Sequence, residues 1–224
     1  MGPTMAVADV NGDGLEDVFI GGGAGQNSQL YFQQKDGSFR SETFDDKDAE
    51  KVKALFLDVN NDGKMDLYVA HGSNEFEENS PLLQDRLYIN QGEKLVYDPN
   101  ALPNLPITTG AICAADIDND GDLDIFVGGM MQQQRYPYPS KSYFLRNDSR
   151  RDAKHCVFTD ITPPSVLSSI GMVRTAIFTD YDKDGDKDLM ITGEWMNVEI
   201  FNNNKRNFTK ATVKGLDATR EMKI

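Results

Sequence analysis

Four nine-residue stretches of the chain combine acidic and amide side chains at a spacing that could hold a hard metal ion. Each follows the pattern D-x-[DN]-x-D-G-x-x-D, at residues 9–17, 58–66, 116–124 and 180–188. Alternate residues of one turn can direct oxygen atoms inward, and calcium takes about six to eight oxygens at roughly 2.3–2.6 Å. Glycine at the sixth position permits the sharp bend. The pattern predicts up to four bound calcium ions.

Five positions of each loop supply the predicted ligands. Positions 1, 3, 5 and 9 offer side-chain oxygens, and position 7 offers its backbone carbonyl. The predicted ligands are Asp9, Asn11, Asp13, Leu15 and Asp17; Asp58, Asn60, Asp62, Lys64 and Asp66; Asp116, Asp118, Asp120, Asp122 and Asp124; and Asp180, Asp182, Asp184, Asp186 and Asp188.

Other interpretations of the loops fit the sequence less well. An EF-hand needs a glutamate at position 12 and flanking helices, whereas that position here lies in an apolar run. Oxygen-only ligands disfavour zinc and copper, and magnesium is the second choice because it prefers a small octahedral shell with several waters. A metal-free Asx-turn remains the alternative for any single copy, but four copies between strands argue against it.

The loops differ in charge at the third position. Asp118 and Asp182 stand where the first two loops carry Asn11 and Asn60. Because a higher ligand charge generally gives tighter calcium binding, the sequence predicts that the third and fourth loops bind more tightly.

The segments around the loops predict an all-β chain. A short apolar run precedes each loop, and three further runs rich in β-branched and aromatic residues follow it. No window shows a convincing amphipathic helix. The repeat predicts about sixteen strands in four four-stranded antiparallel blade units of β-propeller type. The units cover about 1–51, 52–109, 110–173 and 174–224 of a single domain, 1–224.

The loop followed by an apolar strand and glycines, as in Phe19-Ile-Gly-Gly and Phe126-Val-Gly-Gly, resembles the FG-GAP or VCBS repeat. It is similar to the calcium-loop blades of integrin α-subunit propellers. The resemblance implies a β-propeller with calcium in its hairpin loops, often extracellular and used in adhesion. Closed propellers of the family usually have more than four blades. Either these units close a ring, or they form part of a larger propeller, which we favour; segment 215–224 stops about where another blade would start.

Composition narrows the class of protein. The formal net charge of −13 argues against a nucleic-acid binder, whose surface should be basic. No window has the length and apolar character of a transmembrane helix, and the first residues, MGPTMAVADV, lack the features of a signal peptide. Weak calcium sites fill at the millimolar calcium found outside cells, so we expect an extracellular or periplasmic location.

Cysteine and histidine offer little chemistry. Cys113 lies in an apolar run and is expected to be a small buried hydrophobe, while its pairing with Cys156 stays open. His71 ends a predicted strand and is expected at the rim. His155 and Cys156 are neighbours in the predicted strand 155–158, so they should face opposite ways and form no catalytic pair.

A meander of four strands places the calcium loops at one end of the blades and the connections between second and third strands at the other. The longest such connections are 72–85 and 129–141. The second contains Arg135, Tyr136 and Tyr138, and the fourth unit adds Trp195, the single tryptophan. Aromatic residues and arginine are enriched at interfaces. These four residues form a possible partner surface, with packing on the neighbouring blade as the alternative.

These features favour a calcium-stabilised binding module for adhesion or interaction, without catalysis of its own. Its partner would be a protein or carbohydrate ligand, or further blades of a longer chain. The alternative, which follows from the resemblance, is a calcium-dependent propeller enzyme acting on polysaccharide as a lyase or hydrolase.

Overall fold

The computed structural model describes residues 4–92, 94–164, 166–167, 170–216 and 219. This part of the chain forms sixteen strands in four four-stranded sheets and one 3-10 turn, Pro81–Leu83. The predicted all-β class and the four antiparallel blade units are confirmed. Most of the last segment, where another blade was expected to start, falls outside the described residues. No helix in the described part is long and apolar enough to cross a bilayer.

Each sheet is a meander whose strands pair in chain order. Blade 1 contains β1 (Met5–Ala8), β2 (Asp17–Ile20), β3 (Gln29–Gln33) and β4 (Phe39–Thr43), and blade 2 contains β5 (Lys51–Leu57), β6 (Asp66–His71), β7 (Arg86–Asn90) and β8 (Leu95–Tyr97). Blade 3 contains β9 (Thr109–Ala115), β10 (Asp124–Gly129), β11 (Tyr143–Asn147) and β12 (Phe158–Asp160), and blade 4 contains β13 (Met172–Thr179), β14 (Asp188–Glu194), β15 (Glu199–Asn202) and β16 (Thr209–Lys210).

Strand composition follows position within the blade. Every residue of β6 and β10 is buried, because each of these second strands is covered by a neighbouring blade on both faces. A continuous apolar run is what such a strand requires. The fourth strands lie at the outside, where less apolar surface can be buried. In blades 2, 3 and 4 they are the shortest strands: β8 and β12 have three residues and β16 has two.

The blades stack through three hydrophobic clusters, one between each consecutive pair. We call the side of a sheet that meets the next sheet in chain order its front face, and the opposite side its back face. Phe19 on the front of blade 1 packs in one cluster with Leu67 and Val69 on the back of blade 2. The other two clusters repeat this arrangement, around Tyr68 with Ile125 between blades 2 and 3, and around Phe126 with Leu189 between blades 3 and 4.

The four blades form an open arc. Their first strands pack in sequence, β1 on β5, β5 on β9 and β9 on β13. Among the described residues β13 and β1 make no comparable contact, and no hydrogen-bonded ladder or apolar cluster joins blade 4 to blade 1. A closed ring of four blades would need a fourth interface of this kind. The four units therefore do not close a ring.

The back face of blade 1, at one end of the arc, exposes apolar side chains. Met5, Val7 and Ile20 on the back face of blade 1 are 65%, 49% and 40% exposed. In the blade 2 repeat, the position of Ile20 is occupied by Val69, which is only 1% exposed. Blade 1 thus presents apolar side chains to solvent at positions that the other blades bury wholly or in part.

Three buried asparagines make polar contacts between consecutive blades. Each lies at the end of the third strand of its blade or, for Asn203, one residue beyond it. Each donates its side-chain amide to the backbone carbonyl of the second loop residue in the preceding blade. The pairs are Asn90 with Val10, Asn147 with Val59 and Asn203 with Ile117, at 2.8, 2.7 and 2.8 Å. Because a buried amide requires partners, these contacts hold consecutive blades in register.

Two expectations about histidine are wrong. His71 is not a rim residue but is fully buried, with Nδ1 2.7 Å from the carbonyl oxygen of Gln84, and burial lowers its pKa to about 3. His155 lies outside any strand, since β12 begins only at Phe158. The Cys156 N–H instead donates to the Asp98 carboxylate at 3.0 Å, which takes this segment out of the ladder.

Both cysteines are free. Cys156 is buried, whereas Cys113 is only partly buried against the cluster between blades 3 and 4. Burial raises the pKa of Cys113 to about 12 and that of Cys156 to about 11. Both thiols are therefore protonated at neutral pH and unsuited to nucleophilic or redox chemistry.

The back face of blade 2 is buried and that of blade 1 is exposed, and this difference allows a matched test of the open arc. Val69→Ala removes methyl groups from a closed core, and we expect it to lower the free energy of unfolding by about 1.5–3 kcal/mol. Ile20→Ala deletes more atoms but from a solvent-facing position, so its cost should stay under about 1 kcal/mol. Urea unfolding measures both values, and an Ile20→Ala loss as large as that of Val69→Ala would contradict the open arc.

The asparagine contacts give a second test. Asn147→Ala leaves the buried Val59 carbonyl without its donor, and we expect a loss of about 1–3 kcal/mol in the free energy of unfolding. The control is Gln33→Ala, at the equivalent position of blade 1, which has no preceding blade in the described chain; its cost should be within about 0.5 kcal/mol. Similar losses for the two variants would show that the inter-blade contact adds nothing.

Candidate metal loops and partner surface

The strand register places each acidic loop at a hairpin between first and second strands. Asp66, for example, pairs with Leu57 at the start of the β5–β6 ladder, so the loop 58–66 leaves and re-enters the sheet at adjacent points. Within the loop, the Asp58 carboxylate accepts hydrogen bonds from the backbone N–H groups of Asp62 and Gly63, at 3.1 and 2.8 Å. The bond from the glycine N–H recurs at Asp9, Asp116 and Asp180. The backbone of the turn is therefore hydrogen-bonded to the carboxylate at position 1.

Positions 1, 3 and 5 are brought together. In the third loop, Asp116, Asp118 and Asp120 each contribute a carboxylate oxygen, and these oxygens lie within 4.8 Å of one another. Asp180, Asp182 and Asp184 form the same group in the fourth loop. The first two loops keep the turn with an amide at position 3.

The hydrogen bonds at that amide confirm the shared local geometry. The Asn11 side-chain oxygen accepts from the Asp13 N–H at 2.9 Å, and the Asn60 oxygen accepts from the Asp62 N–H at 3.1 Å. Asn60 also donates its side-chain amide to the Ala153 carbonyl of blade 3 at 2.8 Å, which leaves its oxygen on the loop side.

The third and fourth loops hold carboxylate oxygens that lack a donor. Oδ1 of Asp118 and Oδ1 of Asp180 are buried, and neither accepts a hydrogen bond from a described residue. The Asp118 side chain is 8% exposed, and its other oxygen lies 3.1 Å from the Arg206 guanidinium. Burial, followed by the charge of Asp120, raises the pKa of Asp118. An unsatisfied buried oxygen is costly, and a hard cation would satisfy it.

The ninth residue has a role that the sequence did not predict. Both oxygens of the buried Asp66 accept backbone hydrogen bonds, Oδ2 from Val59 at 3.0 Å and Oδ1 from Asn90 at 2.7 Å. Asp17, Asp124 and Asp188 make the same pair of contacts. This carboxylate ties its loop to the end of the third strand. A carboxylate has about four lone-pair sites, so two acceptor sites remain for a cation.

The electrostatics of the ninth position follow from its depth. Burial raises the pKa of Asp66 and of Asp124 to about 6, although the backbone donors lower it. The carboxylates of the same loop add to the rise, Asp62 acting on Asp66 and Asp118 on Asp124. The acidic loops therefore concentrate negative charge that nothing in the described chain fully neutralises.

Neighbouring loops also contact one another. The Asn61 side-chain amide donates to the Asp122 carboxylate, and the Asn119 amide donates to the Asp186 carboxylate at 3.0 Å. In both cases position 4 of one loop reaches position 7 of the next. The loops of blades 2, 3 and 4 thus form a continuous row at one end of the arc, which confirms that they share a face.

The four residues of the predicted partner surface gather at the opposite end. The Trp195 indole N–H donates to the Tyr136 hydroxyl at 3.0 Å, joining blade 4 to the 129–141 connection of blade 3. The Arg135 guanidinium lies 5.7 Å from the centre of the Tyr138 ring. Trp195, Tyr136 and Tyr138 are all more than half exposed. Met130 and Gln133 in the same connection are buried, so packing accounts for these two residues.

Comparison with known protein families supports the repeat that the sequence and the four sheets show. The FG-GAP-like repeat family matches residues 9–69 and 58–127, together more than half of the chain. The first match begins at the first residue of loop 9–17, and the second begins at the first residue of loop 58–66.

Individual relatives are distant. The chain is similar to cartilage acidic protein 1 of Homo sapiens, with 26% identity over 204 residues, and of Xenopus tropicalis, with 27% identity over 205 residues. Each match covers 87% of this chain and 29% of the relative, so the chain spans less than a third of the length of these relatives. Four sheets of one topology, each with its acidic hairpin loop, and a family match over more than half of the chain lead to one conclusion: this protein belongs to the FG-GAP-like repeat family.

Proposed function

We propose that the chain is a calcium-stabilised interaction module that works outside the cytoplasm. The observation that carries the proposal is the pair of buried, donor-free oxygens on Asp118 and Asp180, each within a group of three carboxylates. Such oxygens are costly when left unpaired, and a divalent cation is the partner their chemistry favours.

Calcium fits the donor set of all four loops. The side chains at positions 1, 3 and 5 would hold the ion, together with the carbonyl of position 7 and the remaining lone pairs of position 9. Every donor is an oxygen, which suits calcium or magnesium rather than zinc or copper. The bound ion would neutralise the loop carboxylates and hold the hairpin in its present turn. Its role is structural, because each loop lies within the hydrogen-bond network that links consecutive blades.

An interaction role rests on the end opposite the loops. Exposed aromatic side chains from two blades meet there. The long connection 129–141, which carries Tyr136 and Tyr138, is held by contacts between blades. The Gln134 N–H, for instance, donates to the Asn74 side chain of the other long connection at 2.7 Å. Rigid aromatic groups with a polar edge are typical anchors of protein interfaces.

The proposed location outside the cytoplasm has two supports. Calcium loops of modest affinity are filled at the roughly millimolar calcium outside cells but not at cytosolic levels. The relatives are named cartilage acidic proteins, and this chain is itself acidic, with a net charge of −13.

Removal of calcium should lower the thermal stability of the protein. A site filled at a hundred times its dissociation constant stabilises the fold by about 2.7 kcal/mol, and each kcal/mol shifts the melting temperature of a protein of this size by roughly 2–4 °C. We therefore expect EGTA to lower the melting temperature by at least about 5 °C. Calcium should restore the full value and magnesium only part of it. An unchanged melting temperature would remove the structural calcium from the proposal.

The order of affinities can be tested by exchanging the third position between loops. Asp118→Asn should weaken calcium binding at the third loop by about tenfold, roughly 1.4 kcal/mol, because the site loses one charge. Asn60→Asp should have the opposite effect and strengthen calcium binding at the second loop. Calorimetric titration of calcium into the chelator-treated protein measures both. Tighter binding at the first and second loops of the unmodified chain would contradict the predicted order.

A further inference from the structure

Position 3 of the acidic loops is covered by the next blade in both the second and the third loop. In the second loop this position is the neutral Asn60, which is 3% exposed and donates its side-chain amide to the Ala153 carbonyl at 2.8 Å. In the third loop it is Asp118, whose side chain is 8% exposed and whose Oδ2 lies 3.1 Å from the Arg206 guanidinium of blade 4. The next blade thus presents a neutral group to the amide and a positive charge to the carboxylate.

Arg206 reaches the loop of blade 3 from the turn between β15 and β16. Its backbone has φ of 71°, a left-handed conformation that is uncommon for a residue other than glycine. The Asn203 side chain fixes the turn against the loop, because its amide donates to the Ile117 carbonyl at 2.8 Å and its oxygen accepts from the Arg206 N–H at 2.8 Å. The asparagine that links the two blades therefore also places Arg206 beside the third loop.

The contact with Arg206 satisfies only one oxygen of Asp118. Oδ1 is buried and accepts no hydrogen bond from a described residue. Burial raises the pKa of Asp118, the charge of Asp120 adds to that rise, and the positive charge of Arg206 opposes it. Arg206 therefore offsets part of the negative charge of the loop and leaves free the oxygen that a bound cation would satisfy.

The fourth loop provides an internal comparison. It carries aspartate at the same five ligand positions as the third loop, but no following blade covers it in the described chain. Asp182 at position 3 is exposed, and its Oδ2 accepts from the neutral side-chain amide of Asn202 at 3.0 Å. Lys183 and Lys187 of this loop are exposed, and no ion pair among the described residues includes them. Among these residues, a cation contacts the carboxylate at position 3 only where the next blade covers that carboxylate.

Arg146 of blade 3 has a different partner. Its Nε and Nη2 atoms donate to the two oxygens of Asp148 at 2.7 and 3.2 Å. The pKa of Arg146 is raised chiefly by this contact and only to a lesser extent by the charge of Asp118. The positive charge that contacts Asp118 directly is therefore that of Arg206.

We propose that Arg206 is a built-in counter-charge of the third loop, which neutralises Asp118 when no calcium is bound and lowers the calcium affinity of this loop. The inference rests on the proposed calcium function and names a residue outside the loop that sets the affinity of one site. A calcium ion and the guanidinium carry like charges beside one carboxylate, so each opposes the other. The Arg206 side chain is 44% exposed, so water screens the pair and keeps the effect moderate.

Removal of Arg206 should strengthen calcium binding at the third loop and destabilise the calcium-free protein. For Arg206→Ala we expect the calcium affinity of this loop to rise about fivefold, the upper range for a partly exposed ion pair. The melting temperature in EGTA should fall by about 2–4 °C. In saturating calcium it should fall by less, because the bound ion then neutralises the loop. Calorimetric titration of calcium into the chelator-treated full chain, together with thermal unfolding, measures these values.

Further variants separate this effect from overall charge and from packing. Arg206→Lys keeps the charge and should keep a calcium affinity close to that of the unmodified chain. Arg40→Ala removes the same charge from the surface of blade 1, where Arg40 pairs with Glu42 at 2.6 Å, and should leave calcium binding unchanged. In a chain whose third loop is disabled by Asp120→Ala, the further change Arg206→Ala should no longer alter calcium affinity. If Arg206→Ala does not fold, Arg206→Gln takes its place, because it removes the charge with a smaller loss of packing.

Unchanged calcium affinity after loss of the Arg206 charge would overturn the inference. Equal losses of melting temperature with and without calcium would also overturn it, because they indicate a contact that acts through packing alone. Either result, alongside an unmodified chain whose melting temperature responds to EGTA, would leave the calcium-stabilised module standing. No response of the unmodified chain to EGTA would instead contradict the proposed calcium function itself.

Discussion

The buried carboxylate at the ninth position of each loop is the interaction on which the rest of the structure depends. In blade 2, Asp66 receives the backbone N–H of Val59 within its own loop and that of Asn90 at the end of the third strand. Asn90 in turn donates its side-chain amide to Val10 of the preceding blade. Loop, sheet and blade stacking therefore share one buried polar network, and such networks are stable only when every member has its partner.

This network explains how an acidic loop at the edge of a sheet can affect the whole fold. The residues that would hold a cation lie in the same loop as the ninth carboxylate. That carboxylate is hydrogen-bonded to the backbone of the residue whose side chain contacts the preceding blade. The row of contacts from Asn61 to Asp122 and from Asn119 to Asp186 adds a second connection between neighbouring loops. Charge neutralisation in one loop would thus be felt in the packing of the next blade.

The two ends of the arc are used differently because a meander sorts its connections by position. The hairpins between first and second strands are short and repeat the same nine-residue turn four times. The connections between second and third strands are free of that constraint, and those of blades 3 and 4 carry exposed aromatic groups. Residue types therefore vary at this end, whereas the other end repeats the same acidic turn.

Apolar burial sets the shape of the assembly. Each sheet has two faces to cover, so four blades in an open arc leave one face at either end, and blade 1 exposes Met5, Val7 and Ile20 there. The relatives are more than three times as long as the matched segment. A repeat that buries its surfaces only against other repeats is expected to be most stable in the interior of the stack.

The sequence by itself determined the all-β class, the four four-stranded units and the acidic hairpins, because those follow from local alternation of residue types and from a motif nine residues long. Within the described chain, only the tertiary structure decided which polar groups are satisfied. The Asn147 amide finds its carbonyl 88 residues away, and Trp195 meets Tyr136 across 59 residues. The burial of His71, the missing strand at 155–157 and the open arc likewise depend on contacts between blades, which no local pattern encodes.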